Sequence, residues 1–76
     1  MKPALGLIEM LGFVGVTEAA DAAAKAAAIE LSAVEKIDGG IISIRFLGDV
    51  GAVQAAVEAG VEAAQQVGTL VAHHVI

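Results

Sequence analysis

Cysteine is absent from the sequence, proline occurs once, tryptophan and tyrosine are missing, and phenylalanine occurs twice. Without cysteine, neither a disulfide nor a thiolate metal site can stabilise the fold. Basic residues are also scarce: four Lys and Arg stand against nine Asp and Glu, which gives a formal net charge of −5. Because the phosphate backbone of a nucleic acid requires a basic surface, this composition argues against nucleic acid as a partner.

Long uncharged apolar runs are missing as well. No such run reaches the roughly 18 residues that a membrane span requires. The apolar stretch after Met1 and Lys2 has the start of a signal peptide, but Glu9 interrupts it early and no cleavage-like segment follows. We therefore expect a soluble cytosolic protein without a membrane partner.

What the sequence does contain is an excess of small apolar side chains. Its 76 residues are 58% hydrophobic but only 3% aromatic, so Ala, Val, Ile and Leu supply the apolar mass. A chain of this length has room for one domain, residues 1–76, and buries only about 60% of its unfolded surface. Since exposed apolar patches are usually interaction surfaces, we expect copies of the chain to cover the remainder. A homo-oligomer is the first functional inference.

Hydrophobic periodicity predicts six regular elements. Strands are expected at residues 4–10, 29–37, 41–47 and 69–76, and helices at residues 14–28 and 49–67. Asp49 is a suitable N-cap for the second helix, and Gly68 a suitable C′ glycine. The order β-α-β-β-α-β predicts an α+β fold, a ferredoxin-like sandwich whose four-stranded antiparallel sheet carries both helices on one face. The other face of the sheet is left bare.

Alternation along the strands predicts which side chains share a face. One face of the second strand is expected to carry Ile29, Leu31 and Ala33. The opposite face is expected to carry Glu30, Ser32 and Lys36. The third strand is expected to point one set of side chains inward, namely Ile42, Ile44 and Phe46, and to point Ser43 and Arg45 the other way. The second helix is expected to bury a stripe formed by Val50, Val53, Val57, Val61 and Ala64.

Residues with reactive side chains do not form a catalytic pattern. His73 and His74 are neighbours on a strand, so they point to opposite faces and cannot chelate one metal together. Glu9 and Glu35 are isolated strand carboxylates without an identified acidic partner. Lys25 could serve as a Schiff-base lysine, but its polar helix stripe favours a surface or subunit-edge role. We expect no enzyme activity, no catalytic residue, no metal and no cofactor.

Several segments carry a resemblance to a known family. They are residues 4–9 (ALGLIE), 18–22 (EAADA), 25–27 (KAA), 35–37 (EKI), 48–53 (GDVGAV) and 74–76 (HVI). In this order and spacing they closely resemble the bacterial microcompartment (BMC) domain of hexameric shell proteins, over essentially the whole chain. The GDVGAV segment and the EAAD helix are the most specific parts of the resemblance.

The resemblance implies a structural shell protein of the bacterial cytoplasm. Such proteins form flat hexameric rings that tile into the wall of a compartment such as a carboxysome or metabolosome. Their expected partners are other shell proteins, the enclosed enzymes indirectly, and small metabolites that cross a central pore. The pore-lining loop matches Ile37, Asp38, Gly39 and Gly40. The lysine at the contact between hexamers matches Lys25, and the interface between subunits matches Asp49, Val50 and Gly51.

Two parts of the chain depart from the family pattern, the turn and the C-terminal end. Asp38 takes a position that is commonly glycine, and Gly39 takes the position whose side chain often enters the pore. We expect the backbone amides of Gly39 and Gly40 to line the opening. Six Asp38 carboxylates facing the axis would repel anionic metabolites; the alternative is that Asp38 only stabilises the turn. The chain also ends at Ile76, whereas many relatives continue with a Pro-Arg-Pro-like tail, and we expect this to affect tiling more than ring formation.

Other functions remain open on the sequence alone. A ferredoxin-like regulatory module that binds a small effector between subunits would share the fold and the absence of catalytic residues. It predicts a dimer or trimer with a ligand cleft rather than a ring. A pentamer is also possible, since the number of subunits in a ring depends on a small interface angle that no motif here specifies.

Overall fold

The computed structural model describes residues 3–76, and its strands and helices follow each other in the predicted order. Met1 and Lys2, the start of the stretch weighed as a signal peptide, lie outside the described residues. The strands are β1 (Ala4–Leu11), β2 (Glu30–Ile37), β3 (Ile41–Gly48) and β4 (Thr69–Val75). The helices are α1 (Phe13–Ala26) and α2 (Val50–Gln65), and one turn of 3-10 helix at Asp38–Gly40 joins β2 to β3. The predicted α+β class and the order β-α-β-β-α-β are therefore confirmed.

The four strands form one antiparallel sheet in the order β2-β3-β1-β4. The central pair is β1 with β3, whose register joins Ile8 to Ile44 and Gly6 to Phe46. The outer strands β2 and β4 each have a neighbour on one side only. Both edges of the sheet therefore present unpaired backbone groups, which is the usual starting point for contact with another chain.

Helices α1 and α2 cover one face of the sheet. The central strands point their bulkiest fully buried side chains at these helices, namely Ile8, Met10, Ile42, Ile44 and Phe46. This confirms the predicted inward set of β3. Burying a side chain of this size contributes about 1.5–3 kcal/mol, so these residues form the central part of the core.

Small residues allow the two helices to approach each other closely. Ala19 and Ala23 of α1 and Ala56 and Gly60 of α2 are all buried. A Cβ atom at Gly60 would lie 3.1 Å from the backbone oxygen of Ala19, closer than most real contacts allow. The alanine-rich composition therefore serves close packing of helix on helix and helix on sheet.

The two ends of α2 differ in how well the sequence predicts them. Asp49 caps the first turn as expected, its Oδ1 accepting a hydrogen bond from the Ala52 N–H at 2.8 Å. Val50 was predicted to be buried but is 57% exposed; the buried stripe begins one turn later at Val53, which packs over Gly6 of β1. Gly68 does not take the positive φ of a C′ glycine; its N–H donates to the Ala64 carbonyl at 2.9 Å.

A bulge in β2 reverses part of the predicted alternation. Leu31 pairs with Phe46 and Ala33 pairs with Arg45, so Ser32 is one extra residue in β2. Because an inserted residue shifts a period of two, every later side chain of β2 changes face. Ala33 therefore lies on the bare face instead of beside Leu31, and Lys36 lies on the helix side, opposite Ile42.

Candidate functional site

The turn between β2 and β3 is a tight, exposed loop held by two glycines. Gly39 and Gly40 have φ angles of 82° and 81°, a region that only glycine enters without strain. Ile37, Asp38 and both glycines are exposed to solvent. The Gly12 N–H donates to the Gly40 carbonyl at 2.8 Å, which fixes the turn against the start of α1. The predicted pore-lining residues thus form one compact projection at one end of the sheet.

Asp38 stands at the start of this turn with an ordinary backbone conformation. No described residue other than glycine has a positive φ, so Asp38 is not held in the left-handed region. Within residues 3–76 its carboxylate makes no side-chain hydrogen bond or ion pair. The exposed carboxylate is therefore available to influence what approaches the turn.

Lys25 lies in the last turn of α1, at the other end of the sheet. Its Nζ is 2.9 Å from Oδ2 of Asp21, one helical turn earlier. The Asp21 hydrogen bond and negative charge raise the pKa of the Lys25 ammonium above its usual 10.5, so the side chain is charged at neutral pH. Both side chains are mostly exposed, and such a surface pair contributes little to stability. The ion pair holds the Lys25 ammonium in place at the end of the sheet opposite the turn.

The turn and Lys25 are separated by about the length of helix α1. Helix α1 begins beside the turn and has 14 residues, which corresponds to a length of about 21 Å. The longest dimension of the molecule is 36 Å. Asp49, Val50 and Gly51 follow the end of β3 that lies opposite the turn, and all three are exposed. The predicted pore loop is thus at one end, and the predicted edge and interface residues are at the other.

The histidines occupy opposite faces of β4, as their spacing predicts. His73 is opposite Ile8 on the helix side, and His74 is opposite Leu7 on the bare face. Within residues 3–76 there is no group of three or more His, Asp or Glu side chains that could hold a metal ion. In the same part of the chain, no helix has the length and apolar character needed to cross a membrane.

The bare face of the sheet carries a polar group that the sequence did not reveal. Ser43 pairs with Glu9 on one side and Glu35 on the other. Arg45 binds Glu35, with Nη1 2.7 Å from Oε1. The Ser43 hydroxyl is buried, and no described residue makes a hydrogen bond with it. Glu35 is therefore an ion-pair partner instead of an isolated carboxylate.

The edges of the sheet expose a large amount of apolar surface. On β2, Leu31 and Val34 are about half exposed although they face the helix side. At the opposite edge, a shallow groove runs between α2 and β4. Its lining consists of Gln54, Val57, Glu58, Val61, Glu62, Gln65, His73 and Val75. Sequence reasoning missed this groove because the contact between α2 and β4 is not visible in the pattern of either element.

Comparison with known proteins gives a family for this chain. The family model described as "BMC domain" matches residues 4–76. The microcompartment shell protein EutM of Salmonella typhimurium is 49% identical over 73 residues, which cover 96% of this chain and 76% of the relative. The carboxysome shell protein CcmK2 of Synechococcus elongatus is 47% identical over 78 residues, covering 100% and 76%. PduA of Citrobacter freundii, another microcompartment shell protein, is 48% identical over 75 residues, covering 99% and 81%.

A solved structure shows the same fold. The crystal structure of a microcompartment protein from Desulfitobacterium hafniense superposes with a TM-score of 0.90 at 30% sequence identity. The alignment covers 100% of this chain and 41% of that chain, so this chain spans less than half of that protein. The family match, the relatives and the structural likeness agree with the sequence resemblance. The chain therefore belongs to the BMC domain family, in its single-domain form.

Proposed function

We propose that the chain is a structural tile of a bacterial microcompartment shell, assembling into a cyclic hexamer within the bacterial cytoplasm. In this ring, residues 1–76 act as one shell domain. The turn at Asp38–Gly40, together with Ile37, surrounds the axis, and Lys25 lies at the outer rim. The carrying observation is that the turn lies beside the start of α1 and Lys25 lies in its last turn, at the other end of the sheet. A subunit with its turn toward the axis and its lysine outward matches what a ring requires.

The relatives support the shell role. Proteins named as shell components of microcompartments or carboxysomes share 47–49% of aligned residues with this chain over nearly its full length. A protein of this kind forms part of a shell wall and has a structural role, so we assign it no enzyme activity and no cofactor. Its partners are further copies, other shell proteins and small metabolites that cross the pore, with the enclosed enzymes as indirect partners.

The exposed apolar residues support assembly. Within residues 3–76, eleven large hydrophobic side chains are exposed, among them Val34 on the edge strand β2, Val71 on the edge strand β4 and Val50 at the start of α2. A monomer would leave this surface in water. Removing apolar surface from water contributes about 25 cal/mol of free energy per Å², so an assembly that covers it is favoured. Closed rings cover such surfaces without leaving an open end. We therefore place Asp49, Val50 and Gly51 at contacts between subunits.

The pore acts as an electrostatic filter in this proposal. A six-fold ring brings six Asp38 carboxylates to the axis, and a ring of one charge repels ions of the same sign. The backbone amides of Gly39 and Gly40 complete the opening. Neutral and cationic metabolites pass, whereas small anions are slowed.

Electron microscopy of the purified protein tests the ring directly. Particles viewed along their short axis should average to six-fold symmetry with a central opening, and at higher concentration they should form flat sheets. A Lys25→Ala variant should keep the rings and lose the sheets. Particles without a ring in the wild-type protein would overturn the proposal, whatever the variant shows.

A further inference from the structure

The chain contains three aspartates and no asparagine, and each aspartate is followed by a different residue: alanine after Asp21, glycine after Asp38 and valine after Asp49. The backbone nitrogen of the following residue can attack the side-chain carboxyl group of an aspartate and close a five-membered succinimide ring. A side chain on the following residue hinders this attack, and glycine has none. The sequence therefore singles out Asp38 as the aspartate best placed for this reaction.

The other two aspartate carboxylates are held by partners. The Asp21 carboxylate lies 2.9 Å from the Lys25 ammonium, and its backbone is part of helix α1. The Asp49 carboxylate accepts a hydrogen bond from the Ala52 N–H at 2.8 Å and so caps α2. Each carboxylate must leave its partner before it can turn back toward the next backbone nitrogen. Both aspartates are thus protected against ring closure.

Asp38 has no such protection. Within residues 3–76 its carboxylate makes no side-chain hydrogen bond or ion pair. It lies in a single turn of 3-10 helix whose three residues are all exposed. A Cβ atom built on Gly39 would meet no atom within 4 Å, so the space beside this residue is open. The Gly12 N–H anchors the turn only at the Gly40 carbonyl. Opening the turn at Asp38 therefore breaks few contacts.

We propose that the Asp38–Gly39 bond is a site of spontaneous chemical modification, at which Asp38 converts to isoaspartate. The Gly39 nitrogen attacks the side-chain carboxyl carbon of Asp38; a C–N bond forms, the nitrogen gives up its proton, and one carboxyl oxygen leaves as water. Water then adds to one of the two carbonyl carbons of the succinimide and breaks its bond to nitrogen. Opening at the main-chain carbonyl gives isoaspartate, and opening at the side-chain carbonyl restores aspartate. One water leaves and one water enters, so the reaction needs no enzyme, oxidant or cofactor.

Isoaspartate changes the shape of the turn and keeps its charge. The main chain then runs through the former side chain and is longer by one methylene group, while one carboxylate remains at the position. The open space beside Gly39 accommodates the longer chain. The modification itself does not depend on a ring, but its consequence for the pore rests on the proposed function. In a six-fold ring, modified turns alter the shape of the opening and leave its negative charge unchanged.

Water enriched in heavy oxygen records each passage through the succinimide. The wild-type protein is kept in this water at neutral pH until a free peptide of residues 37–45 is half converted, and is then digested with trypsin in ordinary water. Because trypsin cuts after Lys and Arg, the three aspartates fall on separate peptides, with Asp38 in residues 37–45. We expect this peptide to carry heavy oxygen and to give a second chromatographic form that fragments as isoaspartate. Label at Asp49 should be at least about fivefold lower, because its carboxylate must first leave the helix cap. Asp21, inside a helix, is the second internal control.

Asp38→Asn provides a second route to the same intermediate. An asparagine closes the same ring with loss of ammonia instead of water, so a freshly purified Asp38→Asn protein should deamidate at this position. Because the same succinimide opens in both proteins, labelled isoaspartate and labelled aspartate should form in the same ratio from each. Asp38→Glu is the charge-conserving control. Its ring would have six members and closes far less readily, so we expect the label in its 37–45 peptide to be lost.

The outcomes decide this proposal separately from the ring. If the folded protein gains neither heavy oxygen nor isoaspartate in residues 37–45 while the free peptide gains both, the turn holds Asp38 away from the Gly39 nitrogen and the site is overturned. Equal label at all three aspartates also overturns it, since the partners of Asp21 and Asp49 would then give no protection. Native mass spectrometry of the same sample reports the ring independently, so a chain that does not assemble overturns only the proposed function.

Discussion

Gly12 donates its backbone N–H to the carbonyl oxygen of Gly40 at 2.8 Å, which joins the start of α1 to the turn between β2 and β3. The turn is thus held at its glycine end. The Asp38 side chain makes no hydrogen bond or ion pair within residues 3–76, so it does not hold the turn in place. Changing Asp38 should therefore alter the charge of the turn without changing its shape.

Replacing Asp38 by Asn tests the electrostatic role of the turn. The amide keeps the size of the carboxylate and removes six negative charges from a hexameric pore. In assembled shells at low salt, entry of a small anion should become several-fold faster. Entry of a neutral probe of the same size should stay constant and serves as the control.

Salt should reduce the difference between Asp38→Asn and the wild type. At 1 M ionic strength the screening length is about 3 Å, so the carboxylates no longer influence the whole opening. Unchanged anion entry at low salt would instead support the alternative that Asp38 only stabilises the turn.

The turn itself depends on the conformational freedom of Gly39. A Cβ atom at position 39 would meet no atom within 4 Å, so the destabilisation caused by Gly39→Ala comes from the φ of 82° alone. We expect a loss of about 1–2 kcal/mol in unfolding free energy, measured by denaturant titration. Gly39→Asn should lose less, because Asn tolerates the left-handed region better than Ala. Equal losses for Ala and Asn would mean that another contact controls the position.

Two glycines of α2 provide a matched test of helix packing. At Gly60 a new Cβ would lie 2.6 Å from Ile8 Cδ1 and 3.1 Å from the Ala19 carbonyl oxygen. Gly60→Ala should therefore force α1 and α2 apart and lower the unfolding free energy by about 1–3 kcal/mol. Gly51→Ala is the comparison variant within one subunit, since its nearest neighbour is Asp49 Oδ1 at 3.7 Å. Because Gly51 is proposed to lie at a contact between subunits, both variants are compared at a protein concentration at which the ring is dissociated.

Gly51→Ala should leave stability unchanged or raise it by up to about 1 kcal/mol, because Ala favours helix over Gly. Both variants are compared by denaturant titration at one protein concentration, and the number of associated subunits is checked in each by native mass spectrometry. A Gly60→Ala protein as stable as Gly51→Ala would contradict the close packing of the two helices.

Contacts at the rim should depend on pH through Lys25. The folded pKa of its ammonium is raised by Asp21, so the pair is fully formed below the usual value of 10.5 and is lost as the pH rises through the higher folded value. If Lys25 holds neighbouring rings together, light scattering from sheets should be constant between neutral pH and mildly alkaline pH and fall only above 10.5.

Lys25→Arg is the conservative control for this pH dependence. The guanidinium keeps its charge beyond the range in which Lys titrates, so sheets of this variant should persist to higher pH. Dispersal of both proteins at the same pH would show that Lys25 does not control the contact between rings.

The sequence predicts the arrangement of elements well because local patterns determine it. Asp49 caps α2 as its position indicates, and Ile42, Ile44 and Phe46 point inward as strict alternation requires. The bulge at Ser32 is different. Nothing in the local sequence marks an extra residue, because the pairing with β3 decides where it is accommodated. The faces of Ala33 and Lys36 were therefore predicted wrongly.

The same contrast between local patterns and long-range pairing applies to the surfaces considered for assembly. The family resemblance identifies Lys25 and the turn at Asp38–Gly40 by matching short segments. The α2–β4 groove combines Glu58 and Glu62 with His73, residues that come together only when the sheet is complete. The position of Lys36 was missed for the same reason, since Lys36 reaches the helix side only because of the bulge.

Native mass spectrometry of the wild-type protein at moderate salt is the most direct test of the central claim. We predict a dominant species with six times the mass of the chain. A species with five times that mass would keep the shell role but place the protein at a vertex instead of a facet. Dimers or trimers without a larger species would contradict the tile and favour an effector-binding module.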